Sequence, residues 1–343
     1  DRLAARDPSM SAVLNAPWIA RQATDLLAQR GHAWLLQGPS GLGQYELALA
    51  LASAWLCETP TEQGACGDCP SCHAIAVHTH ADLAVLMPET VMLELGWPLS
   101  EKAQDEIDKK TRKPSKEIRV DAMRDAVEFS QRTDARGRGK AVLVFPAERM
   151  NTITANALLK TLEEPPGDVR FVLATEASHM LLPTIRSRCL AHTMKWPEAD
   201  EALPWLTGQG VPAAVAHDLL RSAGGRPTDV LRQAESGLSP DWWAHLPKAM
   251  RQGDARHLAE LSPAQAIDAL QKLCHDLVLR QTGASPRFFD PSQLPPSAAS
   301  VAVLTDWFKR LMQSARTAEH PFNAALMLEA LTADAQQTLM SKG

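Results

Sequence analysis

Leu35-Leu36-Gln37-Gly38-Pro39-Ser40-Gly41-Leu42-Gly43-Gln44-Tyr45 is the stretch on which the reading of the fold turns. An apolar run leads into a glycine-rich turn, and Tyr45–Leu56, apolar all round its circumference, reads as a helix buried against a sheet. Gly38 and Gly43 stand at the spacing of a phosphate-binding loop, where backbone N–H groups converge on a phosphate at a helix N-terminus. The side chains that complete such a loop are missing. Gln44 stands where a lysine would neutralise the β- and γ-phosphates, and Tyr45 stands where a Ser/Thr hydroxyl would hold Mg²⁺. A second strand, Ala141–Phe145, should end in the carboxylate that organises the metal, yet Pro146 follows it and Glu148 comes two residues later. Loss of all three groups predicts a P-loop fold without ATP hydrolysis.

Outward from that loop, short apolar runs alternate with helical patterns, the signature of a parallel α/β sheet. Strands are expected at Ala33–Gln37, Asp82–Met87, Ala141–Phe145, Arg170–Ala174 and Cys189–Met194, with a helix at Ile153–Glu164 ended by Pro165–Pro166. Pro88–Arg119 fits neither pattern and reads as a mobile insertion; its stretch Lys109–Arg119 holds six basic residues against one acidic. From Pro197 the strand signal disappears. Residues 199–235 suggest short helices around Gly224-Gly225-Arg226-Pro227, and amphipathic stretches follow near Ala264–Gln281, Ser300–Thr317 and Phe322–Met340. The expected organisation is an α/β domain over residues 1–195, a small helical domain over 196–237 and an all-α domain over 238–343.

Composition bounds the rest. A chain of 343 residues exceeds what one core usually organises, and 45% hydrophobic with 22% charged residues is ordinary for a soluble globular protein. A net charge of −5 excludes a chain-wide nucleic-acid footprint, so any DNA contact must come from a local basic patch. The longest apolar stretch, around Leu47–Cys57, is broken by Ser53 and reaches about half the length that spans a bilayer. Asp1, Arg2, Arg6 and Asp7 precede no apolar segment, so no signal sequence is read there, and the cytoplasm is the expected compartment.

Four of the six cysteines fall in Cys57-x8-Cys66-x2-Cys69-x2-Cys72. Clustered thiolates in a chain of this size read as a metal site rather than a disulfide framework. Four of them close a tetrahedral Zn²⁺ shell and leave no position for water, so the ion would be structural. An iron–sulfur cluster is the rival, but its run would place Cys and Pro at positions 76 and 77, which are Ala76 and Val77. His73, His78 and His80 lie close enough in sequence to replace one thiolate.

Three further segments carry a family resemblance. Asn156-Ala157-Leu158-Leu159-Lys160-Thr161-Leu162-Glu163-Glu164-Pro165-Pro166 resembles the segment that clamp-loader AAA+ subunits carry after their Walker B strand. Phe171–Thr175 resembles their fourth strand, ending at the sensor 1 position, and Ile185-Arg186-Ser187-Arg188-Cys189 resembles their Ser-Arg-Cys motif. In order, the motifs resemble the bacterial DNA polymerase III clamp-loader family over about residues 30–190. The likeness is weaker beyond, where His320–Asn323 and Leu328–Leu331 look like the end of its collar domain. Within that family the gamma/tau subunits keep the P-loop Lys and Thr, whereas the delta prime branch has a degenerate loop, which Gln44, Tyr45 and Pro146 match.

The resemblance implies a five-stranded AAA+ sheet, a helical lid and a C-terminal collar that assembles a pentamer with gamma/tau and delta. The assembled complex would act on the sliding clamp and primed DNA, with this chain its rigid member. It implies structural Zn²⁺ on Cys57, Cys66, Cys69 and Cys72, no ATP hydrolysis in cis, and Arg188 as an arginine finger reaching a neighbour's ATP site, with Ser187 orienting the turn. Outside the motif, a lone Arg188 would read as a surface ion-pair residue. Thr175 reads as structural and Thr228 takes the sensor 2 place, leaving Arg226 no role. The alternative within this architecture is an ATP-hydrolysing motor subunit of gamma/tau type. A third reading, a zinc-dependent nucleic-acid-binding monomer, suffers from the acidic net charge. Lys109–Arg119 and the basic loop Arg132, Arg136, Arg138 and Lys140 are the places where DNA contact would fall. Trp242–Trp243, Trp307–Phe308 and Cys274 read as core residues.

Overall fold

The computed structural model describes residues 16–235, 238–295, 299–318 and 323–341. Two compact units divide the chain between Pro197 and Glu198. The first begins with α1 (Pro17–Leu27), which carries proline in its first turn, followed by β1 (Ala33–Gln37). α2 (Gln44–Leu56) starts directly after the glycine loop, and residues such as Leu47, Ala48, Leu51 and Ala52 are buried around it, as its apolar circumference requires. α3 (Pro70–Ala76) and β2 (Leu83–Leu86) precede α4 (Glu89–Glu94), α5 (Glu101–Asp108) and α6 (Val120–Gln131). β3 (Lys140–Val144), α7 (Thr152–Glu163), β4 (Val169–Thr175), the single turn α8 (Pro183–Arg186) and β5 (Leu190–Thr193) complete the unit.

All five strands are parallel, in the order β2-β3-β4-β1-β5. Leu35 pairs with Leu173 across β1 and β4, and Val142 with Phe171 across β3 and β4. β3 and most of β4 are buried, which is why they read as continuous apolar runs, whereas β5 is a largely exposed edge. This topology carries β1 straight into the glycine loop at the carboxyl end of the sheet, where open α/β sheets place their ligands. α7 stops at Glu163 because Glu164 precedes Pro165, whose ring disfavours helical backbone in the residue before it.

The segment 88–119 corrects its sequence reading. It is not an unstructured insertion but carries α4 and α5, tied by one guanidinium. Arg112 donates to both Glu89 oxygens at 2.5 and 2.8 Å and, through Nε, to Glu106 at 2.6 Å. Trp97, 7% exposed, docks the segment on the sheet domain by donating Nε1–H to the Tyr45 hydroxyl at 2.7 Å and stacking on His78 at 3.8 Å. The partners lie far apart along the chain, so no local pattern announces them.

The second unit holds α9 (Ala199–Gly208), α10 (Ala213–Ser222), α11 (Pro227–Glu235), α12 (Pro240–Gln252), α13 (Pro263–Gln281), α14 (Val301–Ala315) and α15 (Ala324–Met340). α9 to α11 enclose one apolar cluster around Ala202, Leu206, Leu219 and Val230, and α12 to α15 share a larger one around Leu246, Leu270, Trp307 and Ala335. Trp243, Trp307 and Cys274 lie in the latter, and the Cys274 thiol donates to Leu304 O at 3.2 Å. α13 opens on a reciprocal cap between Ser262 and Gln265. Residues 320–322 of the collar-like motif lie outside the described residues. Among the described residues, no helix is long and apolar enough to cross a membrane.

Candidate functional site

The glycine loop is built as the sequence requires. Gly43 caps α2 with φ of 90°, and a Cβ there would stand 2.7 Å from Ile19 Cδ1; one on Gly38 would stand 2.9 Å from Met194 Cβ. Both positions need glycine for space, and Gly43 also needs it for its left-handed backbone. The loop is satisfied from within. The Gln44 amide, 2% exposed, folds back and donates to Gly38 O at 2.9 Å and Pro39 O at 2.7 Å.

A lysine's ammonium would instead have to project toward the phosphates. Tyr45, 3% exposed, turns its ring to Phe145 with centroids 5.5 Å apart. Here the fold packs two aromatic rings together rather than polar side chains. Burial raises the Tyr45 phenol well above its ordinary value, so it stays neutral and accepts the Trp97 hydrogen bond. Glu148 serves the backbone: it accepts from Thr175 Oγ1 at 2.7 Å and from Glu176 N at 3.1 Å. Thr175, fully buried at the end of β4, is spent on that bond.

The Ser-Arg-Cys residues gather at the end of α8. Ser187 Oγ and Arg188 Nη1 both donate to Thr184 O, at 3.2 and 2.8 Å. The Arg188 guanidinium also forms an ion pair with Glu163 at the end of α7, through Nε at 2.6 Å and through Nη2. Its side chain is 28% exposed, so it remains reachable from outside the chain. Arg226 is paired with Asp229 at 3.0 Å.

Cys57, Cys66, Cys69 and Cys72 converge, all four sulfurs lying within 4.8 Å of one another. Cys57 Sγ is 3.8 Å from Cys69 Sγ, and Cys66 Sγ is 3.9 Å from Cys72 Sγ. A tetrahedral shell with metal–sulfur bonds of about 2.3 Å has edges of about 3.8 Å, so the donors fit such an ion. Backbone N–H groups point at the sulfurs: Cys66 N at Cys57 Sγ (3.3 Å), Cys69 N at Cys66 Sγ (3.4 Å) and Cys72 N at Cys69 Sγ (3.5 Å). Hydrogen bonds from Thr59 and the backbone bring the Cys66 thiol down to about 6, while burial raises those of Cys57 and Cys72. Two of the nearby histidines have a ring nitrogen engaged elsewhere. His78 Nδ1 meets Gly96 O at 2.9 Å, and His80 Nδ1 accepts from Asp82 N at 3.1 Å. The sequence marked the P-loop positions, the cysteines and Arg188. It did not mark Trp97, Phe145 or Glu163, although a lone tryptophan in the polar segment 88–119 was a signal.

The sheet order, the loop at its carboxyl edge and the Ser-Arg-Cys segment define a P-loop domain of AAA+ type in which Gln44 and Tyr45 follow the glycine loop. The sequence model described as "DNA polymerase III, delta subunit" matches residues 22–197, a little over half of the chain. Subunit delta' of Pseudomonas aeruginosa DNA polymerase III is 34% identical over 283 residues, 82% of this chain and 70% of that protein. The chain therefore belongs to the DNA polymerase III delta' family. The Escherichia coli K12 delta' subunit is 35% identical over 196 residues, 56% of this chain and 52% of that protein. The tau subunit of the same organism is 31% identical over 214 residues, 61% of this chain and 29% of that protein.

Proposed function

We propose that this chain is a non-hydrolysing subunit of a bacterial replicative clamp loader. It acts as a scaffold that helps a pentamer of gamma/tau and delta subunits place the sliding clamp on primed DNA. Residues 1–195 form its AAA+ domain, 196–237 its lid and 238–343 its collar. The observation that carries this reading is the loop filled by Gln44, whose amide takes the carbonyls of Gly38 and Pro39. Gln44 is neutral and Tyr45 packs on Phe145, so neither supplies the ammonium or the small hydroxyl by which such a loop neutralises phosphates and holds Mg²⁺ in cis.

Arg188 supplies what the chain does not use itself. A guanidinium is always charged and suits the transferring phosphoryl group of a neighbouring gamma/tau site. Thr184 and Glu163 hold it in place, with Ser187 fixing the turn. Zn²⁺ on Cys57, Cys66, Cys69 and Cys72 is structural, since four thiolates leave no open position for chemistry.

Calorimetric titration of the zinc-loaded chain with Mg·ATP tests the reading. The expected result is no detectable heat of binding. Tight, Mg²⁺-dependent binding would overturn it in favour of a motor subunit of gamma/tau type.

A further inference from the structure

Three of the four cations in the basic loop 132–140 are answered within the fold. Arg132 pairs with Glu128, Arg136 donates to Glu58 at 2.7 Å, and Lys140 Nζ donates to Phe129 O at 2.6 Å. Arg138 differs: its Nε is buried and has no hydrogen-bond partner among the described residues. A buried donor left unmade costs roughly 1–3 kcal/mol. The same side chain lines a groove of about 540 Å³ at the amino-terminal ends of β1 and β4, the end of the sheet opposite the filled loop.

Two more guanidinium groups line that groove, Arg30 from the turn before β1 and Arg170 from β4. A single carboxylate, Asp168, lines it, and it is paired with Arg170 at 3.5 Å. Arg30 and Arg138 are in no ion pair among the described residues. Much of the remaining wall is apolar, including Trp34, Trp55 and Pro60. The two indoles are 3% and 9% exposed, so neither offers a free face on which a nucleic-acid base could stack.

The four-cysteine module builds part of this wall. Pro60 and Thr61 belong to the loop between Cys57 and Cys66. Glu58, next to Cys57, accepts from both Ser71 and Arg136, which ties the module to the loop that bears Arg138.

We propose that the groove binds a short acidic segment of a partner protein, its carboxylates taken by Arg30 and Arg138 and its apolar side chains by the wall, with the cysteine module holding that wall in shape. Planar guanidinium groups pair with carboxylates in two-point fashion, and the volume is that of an ordinary ligand pocket. Arg188 lies at the same amino-terminal end of the sheet, ahead of β5, but neither it nor Glu163 lines the groove, and the inference does not rest on the clamp-loader reading.

Fluorescence anisotropy of a fluorescein-labelled peptide of alternating glutamate and leucine, titrated with the full metal-loaded chain, provides the test. Saturable binding is expected, weakened about tenfold or more by Arg138→Glu and also by Arg30→Glu. Arg138→Lys should fall between, because it keeps the charge and loses the fork. Circular dichroism establishes that each variant is folded, and Arg251→Glu, on the surface of the second unit, should bind as the parent does. Chelating the metal should weaken the peptide; unchanged affinity would remove the module from the proposal. Absence of saturable binding, or equal loss in Arg251→Glu, would overturn the site. So would a labelled oligodeoxynucleotide of matched charge that binds more tightly and depends on Arg138, since the groove would then serve nucleic acid.

Discussion

At the scale of single residues, the chain combines one loop turned inward with one arginine turned outward. Gln44 and Arg188 both carry donor N–H groups, but Gln44 spends its own on Gly38 and Pro39 while Arg188 keeps a partly exposed guanidinium. If Arg188 served only as the partner of Glu163, replacing either residue would cost a surface ion pair, about 0–1 kcal/mol, and nothing else. The trans role separates the two substitutions. Arg188→Ala should leave assembly intact and slow ATP-dependent clamp loading, because a missing arginine finger costs roughly 10³-fold or more at the site it serves. Glu163→Gln should have a much smaller effect, since the guanidinium survives with its Thr184 bond. The rate of clamp loading by the reconstituted complex at saturating ATP is the measurement, and an unchanged rate in Arg188→Ala would refute the role.

At the scale of elements, α4 and α5 depend on contacts that reach well beyond the segment's own turns. The Arg112 guanidinium beside Glu89 holds that carboxyl below its ordinary value, and Ser115 N adds a hydrogen bond at 2.8 Å. A carboxyl with a depressed folded value stabilises fully above the unfolded value near 4.5 and loses that contribution as pH falls through the lower folded one. Glu89→Gln should therefore loosen residues 89–112 at neutral pH by about 1–2 kcal/mol, allowing for partial exposure. As pH falls below the folded value, the variant and parent should converge. Hydrogen exchange of that segment, corrected for its intrinsic pH dependence, reports both; a gap that persists in acid would contradict the ion pair's role.

The strands were legible in sequence to within one residue, most plainly β1, β3 and β4, because parallel strands buried on both faces leave continuous apolar runs. The glycine loop and the cysteines were legible because their chemistry requires fixed spacing. The segment 88–119 was not, since Trp97 meets Tyr45 across 52 positions and Arg112 meets Glu89 across 23. The basic run Lys109–Arg119 looked like a free patch because Glu89, one of the two carboxylates that bind Arg112, lies well outside the run.

At the scale of the whole molecule, the two units call for a calorimetric experiment. The cysteine cluster belongs to the unit ending at Pro197, and α9 to α15 form cores of their own. Metal that binds only the folded site stabilises by mass action, about 2.7 kcal/mol at a hundredfold excess over its dissociation constant. Chelation should therefore lower the melting transition of the first unit by several degrees and leave that of the second in place. A shift of both by the same amount would mean that the units unfold as one. The filled loop also resists substitution. Placing a lysine at position 44 would strip two loop carbonyls of their amide donor, and placing a small hydroxyl at position 45 would strand Trp97 inside the fold. Either step lowers stability before any catalytic gain, and Pro146 would still stand where the strand should end in a carboxylate. Either substitution is thus opposed by the fold itself before it could support any nucleotide chemistry.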